Sequence, residues 1–481
     1  MEKLHVAVDL GGSHGRLFVG GAGHPLEKVY EFQTCYGVIG QNVYWEILGM
    51  FQNIKKGLGV AFAKYGDDIV SMGFDTWGVD YGLLDRTGQL IGLPYHFRDP
   101  RTLSVIDEVL EKAGGEETIY KATGIDKESF NTVYQLYETK KNRPEIFGTV
   151  AHYLSVPDLF GYWFTGVMES ERTHASTTQL YDPFSGDWNR TLMKKLGFNE
   201  DIFSPIVSSG TVRGNLLPSV QKEIGCGKHV VFINSAEHDT ASAVSTIAGE
   251  TDGHTMFISS GTWSLVGCLL DVPLTTKAAY DKRFTNEVAA SGRITFLRNI
   301  MGMLIQHECL HAWEEKEHAA ISLQALDEAT WRERDFVSAI DPLDDSFMLP
   351  NSLGGPMPER ISRWCRIHGM SVPSNKGQFM VATYKGLAAA YCDSLKELES
   401  LTGKSFNTVH IIGGGSKNRI LDQWTADRCN LKVIAGPAEA SSVGNVIQQM
   451  KASGEIASVS EGLSLLGEDK GRITYTPYQE E

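Results

Sequence analysis

Two short stretches constrain this chain more than any other feature. Residues 6–19 read as a strand, a turn written "DLGGSHGR" and a second strand, and residues 256–269 repeat that plan around "SSGTWS". A glycine- and hydroxyl-rich bend between two strands exposes several backbone N–H groups, and such turns suit phosphate oxygens. One hairpin of this kind is commonly nothing but a turn. Two of them, each opening a half of similar size in a 481-residue chain, point to an internal duplication around a cleft. A third glycine cluster, "IIGGGSKN", follows a buried strand and precedes a helix, where backbone can approach a nucleotide closely.

Strand and helix patterns alternate along the rest of the chain, which makes it α/β. Its length exceeds what one core comfortably fills, so two domains are expected, 1–243 and 244–481. "LHVAVDL" and "RLFVG" read as strands, "IVSMGFDTWGVDYGLLD" holds two more, and "KHVVFIN" and "TVHII" read as buried strands. A helix is expected from Gly377 to about Thr402 with Gly403 as its cap, and the glycine-rich stretch from Asn351 to Ser374 as a surface loop. A formal charge of -15 argues against nucleic acid or an anionic membrane as partner. The first residues read as a strand rather than a signal peptide, and no uncharged apolar run is long enough to span a bilayer. Seven scattered cysteines without a CxxC pair fit reduced thiols, hence a cytoplasmic enzyme.

The chemistry centres on "INSAEHDTASAV", where Glu237, His238 and Asp239 put three ionisable groups in consecutive positions. A metal site, an acid/base pair and an acidic helix start all fit that pattern. Asp239 stands near the start of a helix, where aspartate is a good cap and where the helix N-terminus favours its ionised form. Two motifs are decoys. "HECLH" at 307–311 satisfies a zinc-protease pattern but lacks a third ligand at a suitable spacing. "LTGKSF" imitates the end of a phosphate loop, but Leu398 stands where that loop's first glycine belongs.

The paired hairpins resemble the actin-like ATPases, and within them the FGGY family of carbohydrate kinases. "AVDLGGSHGRL", "GFDTWGVDYGLLD", "SVPDLFGYWFTG", "EHDTASAV", "SSGTWSLVG", "NEVAASGRITFLRNIMG", "VHIIGGGSKN" and "VIAGPAEASSVGN" resemble, in order, segments of the family's L-rhamnulose-phosphorylating branch. The resemblance runs from Val6 to Gln448. It implies two actin-like, ribonuclease H-like ATPase domains flanking a catalytic cleft, and transfer of the ATP γ-phosphoryl group to the C1 hydroxyl of L-rhamnulose. Alternatives are another ketose such as L-fuculose, or a sugar sensor without catalysis.

Residue by residue, the resemblance makes Asp239 the catalytic base and Gly78, His238, Thr240 and Asn299 sugar contacts. Gly12, Ser13, His14, Gly15 and Arg16 match the first phosphate segment, Thr262 the second, and Gly414 the adenosine-side glycine. Asp9 would hold Mg²⁺ through water, since Mg²⁺ keeps most of its hydration shell. Two departures stand out. His14 is bulkier than the serine expected there. His307 occupies the register of a nucleotide-contacting glutamine, with Gln306 one residue earlier, and a helix turns about 100° per residue, so both cannot face ATP. Register favours His307.

Overall fold

Seven residues in succession from Leu4 to Leu10 are buried, the pattern of a strand covered on both faces. This strand, β1, anchors the first of two structural units. The structure, a computed structural model, describes residues 3–247 and 253–478. Met1–Glu250, Leu269–Phe296 and Ala440–Lys470 make up unit 1, and Thr251–Cys268, Leu297–Glu439 and Gly471–Glu481 make up unit 2. The chain therefore passes between the units several times, where the sequence suggested a single boundary after residue 243. Residues 248–252, shortly after that expected boundary, lie outside the described residues.

In unit 1, β1 (Leu4–Leu10) is followed by β2 (His14–Gly21), β3 (His24–Gln33), β4 (Ile69–Thr76), β5 (Thr211–Asn215) and β6 (Val231–Asn234). They form one sheet in the order β5-β6-β4-β1-β2-β3. The first hairpin, β1 with β2, is antiparallel; β4 adds to β1 in parallel, β6 adds to β4 in parallel, and β5 closes the edge antiparallel. Side chains alternate between the two faces of a strand. Val6, Val8, Leu10, Leu17 and Val19 accordingly pack with Ile54, Leu58 and Ala61 of the helix Ile47–Tyr65. Ala7 and Phe18 share the other face with Val443, Val446, Ile447 and Met450 of the helix Ala440–Ala452.

Unit 2 repeats the plan. β7 (Thr255–Ser260), β8 (Trp263–Leu270), β9 (Ile294–Met301), β10 (Thr408–Ile412), β11 (Lys432–Ala435) and β12 (Ile473–Tyr475) run in the order β9-β8-β7-β10-β11-β12 in a seven-stranded sheet, whose remaining strand, Thr285–Val288, lies beyond β9. Again a hairpin, β7 with β8, gains two parallel neighbours, β10 then β11, and an antiparallel edge strand. The duplication read from two turns thus extends to both sheets.

The expected helix spans Lys376–Thr402 and ends on Gly403 in the left-handed conformation, φ 67. The stretch Asn351–Ser374 is not a loop throughout. It carries the helix Met357–Ile367, which starts with a proline in its first turn and buries Met357, Ile361, Trp364 and Cys365. Glycines flanking that helix masked its four-residue apolar spacing. Among the described residues no helix is long and apolar enough to cross a membrane.

Candidate active site

The ends of β1 and β4 bring unit 1's carboxylates together. In register, Asp9 of β1 faces Arg16 across the hairpin and Asp75 on its parallel neighbour β4. The Arg16 guanidinium donates to Asp9 Oδ2 at 2.6 Å, and the Ser441 and Ser442 hydroxyls donate to the same oxygen at 3.2 and 3.1 Å. Asp75 is buried completely. The Asn445 amide donates to its Oδ2 at 2.7 Å, while its Oδ1 has no hydrogen-bond partner. Burial, then the charges of Asp9 and Asp239, push its pKa well above the usual carboxylate range. The family resemblance gives Asp75 no role, although an acid inside the apolar run "IVSMGFDT" is itself a signal.

Beyond β4 the chain is tied to the opening of the next helix. Thr76 donates its backbone N–H to the Glu237 carbonyl at 2.9 Å, and Thr76 bridges His238 as an extra parallel pair. The helix Asp239–Ser245 then begins, with His238 as its cap residue and Asp239 in its first turn. Glu237 and Asp239 diverge completely. The Glu237 side chain is fully buried, with Oε1 3.3 Å from the Arg213 guanidinium, which also binds Asp158 and Asn234. Asp239 keeps a side chain 36% exposed, with His238 Nε2 at 3.5 Å and the Thr240 hydroxyl donating to its Oδ1 at 3.2 Å.

Electrostatically, Asp239 does not behave as a simple helix-start acid. Burial and the Asp9 charge raise its pKa, outweighing His238 and the Thr240 hydrogen bonds that lower it. The expected stabilisation by the helix N-terminus does not set the net direction, because burial and then the Asp9 charge outweigh it. His238 shifts the opposite way from an ordinary buried imidazole. Burial lowers its pKa, but Glu287 and Asp239 more than offset this, and the net direction is up.

Gly78 lies just past β4, where a side-chain Cβ would stand 3.1 to 3.3 Å from Thr177. Close packing on Thr177 therefore accounts for this glycine before any ligand is considered. In the first hairpin turn, Gly12, Ser13 and His14 are exposed. Gly11 donates to the His14 carbonyl at 2.9 Å, and Thr34 is bonded to the Gly11 and Ser13 carbonyls. Gly15 is required by the ring of Phe32, which a Cβ would meet at 2.3 Å.

Unit 2 holds the remaining predicted residues. Gly261 closes the second hairpin turn on the Trp263 carbonyl at 2.8 Å, and Thr262 is exposed beside it. The Thr262 carbonyl accepts from Gly302 and Leu304, tying the helix Leu304–Glu317 to that turn. Gln306 is buried on this helix and takes the Tyr384 hydroxyl at 2.8 Å, whereas His307 is exposed. Asn299 lies half-buried in β9. After β10, Gly413 and Gly415 press on Ser260, where a Cβ would come within 3.0 and 1.9 Å. Gly414 between them is exposed, with no atom within 4 Å of such a Cβ.

Among the described residues no group of three or more His, Cys, Asp or Glu side chains is placed to hold a metal directly. Asp9 beside the unpartnered Asp75 Oδ1 does fit a hydrated cation bound mainly through water.

Two family models match the chain. They are the N-terminal domain of the FGGY family of carbohydrate kinases over residues 30–245 and the C-terminal domain of that family over residues 256–453. The chain is 35% identical over 463 residues to the rhamnulokinase of Halalkalibacterium halodurans, covering 96% of each. It is 34% identical over 479 residues to that of Oceanobacillus iheyensis, covering 99% of this chain and 98% of the relative. It is 35% identical over 480 residues to that of Bacteroides thetaiotaomicron, covering 99% and 96%. Among solved structures, gluconate kinase from Lactobacillus acidophilus aligns with a TM-score of 0.78 at 14% identity, covering 99% of this chain and 94% of that one. Plasmodium falciparum glycerol kinase with ADP aligns with a TM-score of 0.77 at 15% identity, covering 100% and 95%. At such identities these two establish the fold, the two-domain actin-like ATPase fold.

Proposed function

This chain belongs to the FGGY family of carbohydrate kinases and is a sugar kinase, and from that premise we propose that it phosphorylates the C1 hydroxyl of L-rhamnulose with ATP. The observation that carries the substrate is the sustained 34 to 36% identity, over nearly the whole of each chain, to relatives named rhamnulokinase. The expectation of a cytoplasmic enzyme accompanies it.

Phosphoryl transfer asks the protein mainly to position two substrates and stabilise charge. Asp239 takes the C1 hydroxyl proton and aligns that oxygen for in-line attack. Its placement supports the role, since its side chain is part-exposed while Glu237 is committed to Arg213. His238 and Thr240, bonded or close to Asp239, orient the sugar with Gly78, and the family resemblance adds Asn299 as a sugar contact. The exposed turn from Gly12 through His14, with Gly15 and Arg16, receives phosphate oxygens on backbone N–H groups. Thr262 serves the phosphates from the second hairpin, His307 contacts the nucleotide, and the open backbone at Gly414 admits adenosine. Mg²⁺, held by Asp9 through water, would supply neutralisation of phosphate charge.

The test is ADP release from Mg-ATP over a panel of ketoses. Turnover should be fastest with L-rhamnulose and far slower without sugar. ADP release that ignores sugar, or that no ketose stimulates, overturns the kinase reading; preference for L-fuculose reassigns the substrate.

A further inference from the structure

Glu287 has no part in that mechanism, yet it faces the residue next to the proposed base. Its strand, Thr285–Val288, is pinned on either side of it. Asn286 donates its backbone and side-chain N–H groups to the Gly124 carbonyl at 2.9 and 3.0 Å, and Val288 donates to the Ser176 hydroxyl at 3.0 Å. The Glu287 side chain is only 12% exposed, and its Oε2 lies 3.3 Å from His238 Nδ1. That contact is off hydrogen-bond alignment, and His238 Nδ1 is a buried atom with no other partner. The second ring nitrogen, Nε2, lies 3.5 Å from Asp239 Oδ1.

A carboxylate at each nitrogen is chemically telling. A neutral imidazole carries one N–H and would turn a lone pair toward one of the two acids; only the imidazolium offers an N–H to both. The nearly buried Glu287 has a reciprocal need, since burying an unpaired carboxylate is costly. We propose that Glu287 is a positioning residue for phosphoryl transfer, holding the His238 ring charged between itself and Asp239. The cation so placed favours the ionised, proton-accepting form of Asp239 against the negative charges of Asp9 and Asp75.

The groups that decide this balance are on several elements. Around His238 stand Glu287, Asp239, Glu171 and the neutral-favouring His174. Around Asp239 stand His238, Thr240, Asp9 and Asp75, with Arg16 on Asp9. Burial opposes charge on His238, and Glu287 is the largest influence in the other direction. Removing the Glu287 charge therefore lets His238 lose its proton at lower pH, and Asp239 then keeps its proton to higher pH.

This inference rests on Asp239 being the base, so the experiment separates the two. The pH profile of kcat/KM for L-rhamnulose is measured in wild type, Glu287→Gln and Glu287→Asp. Glu287→Gln should move the acid limb to higher pH by on the order of one unit, the scale of one close charge. Glu287→Asp should restore part of that shift, and the KM for ATP should stay near wild type in both. An unmoved acid limb, or an equal loss at every pH, overturns the role of Glu287. Wild-type protein without L-rhamnulose-dependent ADP release, or Asp239→Asn with near wild-type turnover, would instead overturn the parent reading. If Glu287→Gln does not fold, NMR of ¹⁵N-histidine-labelled wild type decides. His238 should titrate above the ordinary histidine value of about 6.5, and a midpoint at or below it overturns the proposal.

Discussion

Glu237 and Asp239 sit two positions apart, and tertiary partners alone tell them apart. Arg213, reached from β5, draws Glu237 inward, while the turn into the next helix leaves Asp239 part-exposed. Asp239→Asn keeps size and helix-start character but cannot accept the proton, so kcat should fall about 10²-fold or more, the scale of general-base catalysis. ATP affinity and thermal midpoint should hold, which kinetics and a melting curve can check together. Burial, then the Asp158 and Glu171 charges, push the Glu237 pKa up against the pull of Arg213, the side chain is committed to that guanidinium, and Gln keeps its size there. Glu237→Gln should therefore retain most turnover; a collapse there beside an active Asp239→Asn would exchange their roles. The acid limb of kcat/KM should also lie above the ordinary aspartate value of about 3.9, because activity is lost as pH falls through a raised pKa. A limb at or below that value would contradict Asp239 as the titrating group. Asp239 was legible from its place after an apolar strand, and Asp75 was visible as an acid in one. Glu287 gave no signal in "NEVAASGR", since its meaning lies in a contact 49 positions away with His238.

At the scale of elements, one helix does more for the site than its sequence announced. Ala440–Ala452 supplies Ser441 and Ser442 to Asp9 and Asn445 to Asp75, and it lies against the helix that carries Asp239. Gly444 makes that approach possible, because a Cβ there would stand 1.9 Å from the Ser242 backbone carbonyl oxygen. Backbone cannot yield as a side-chain tip can. Gly444→Ala should cost about 1–3 kcal/mol, as overpacking does, and should lower kcat by displacing Asp239 relative to Asp9. Gly414→Ala makes the opposite case, with open space around the new methyl, so its melting point should hold while the KM for ATP rises. Melting curves paired with nucleotide kinetics distinguish the two, and a stable, fully active Gly444→Ala would remove the packing argument. The motif "SSVGN" was visible as a family segment, but a helix's neighbours are not written in its own periodicity. The misread stretch Asn351–Ser374 errs in the same direction. Glycine density suggested loop, whereas Ile361, Trp364 and Cys365 bury one face of a helix beginning at Met357.

Two sheets with one strand plan explain why the hairpins were such informative stretches. A turn fixes the antiparallel pair beside it, and the parallel neighbours β4 and β10 complete the same pattern in each unit. Sequence order nevertheless concealed which residues complete unit 1. Ala440–Lys470 follows almost all of unit 2 in the chain, yet it belongs with Met1–Glu250. Val443, Val446, Ile447, Met450, Ile456, Val459, Leu463 and Leu466 form a core with Ala7 and Phe18. At about 1.5–3 kcal/mol for each buried aliphatic side chain, these eight contribute roughly 12–24 kcal/mol as an upper estimate, against a typical net stability of about 5–15. A chain ending at Glu439 should therefore lose the fold of its N-terminal unit. Hydrogen exchange is the measurement, since amides of Val6, Ala7 and Phe18 should be strongly protected in the full chain and exchange quickly in the shortened one. A tail that merely decorated the surface would leave those amides protected. Persistent protection would mean that the face of β1 bearing Ala7 is stable without the helix Ala440–Ala452 that covers it, and that this helix is not needed for the fold of unit 1.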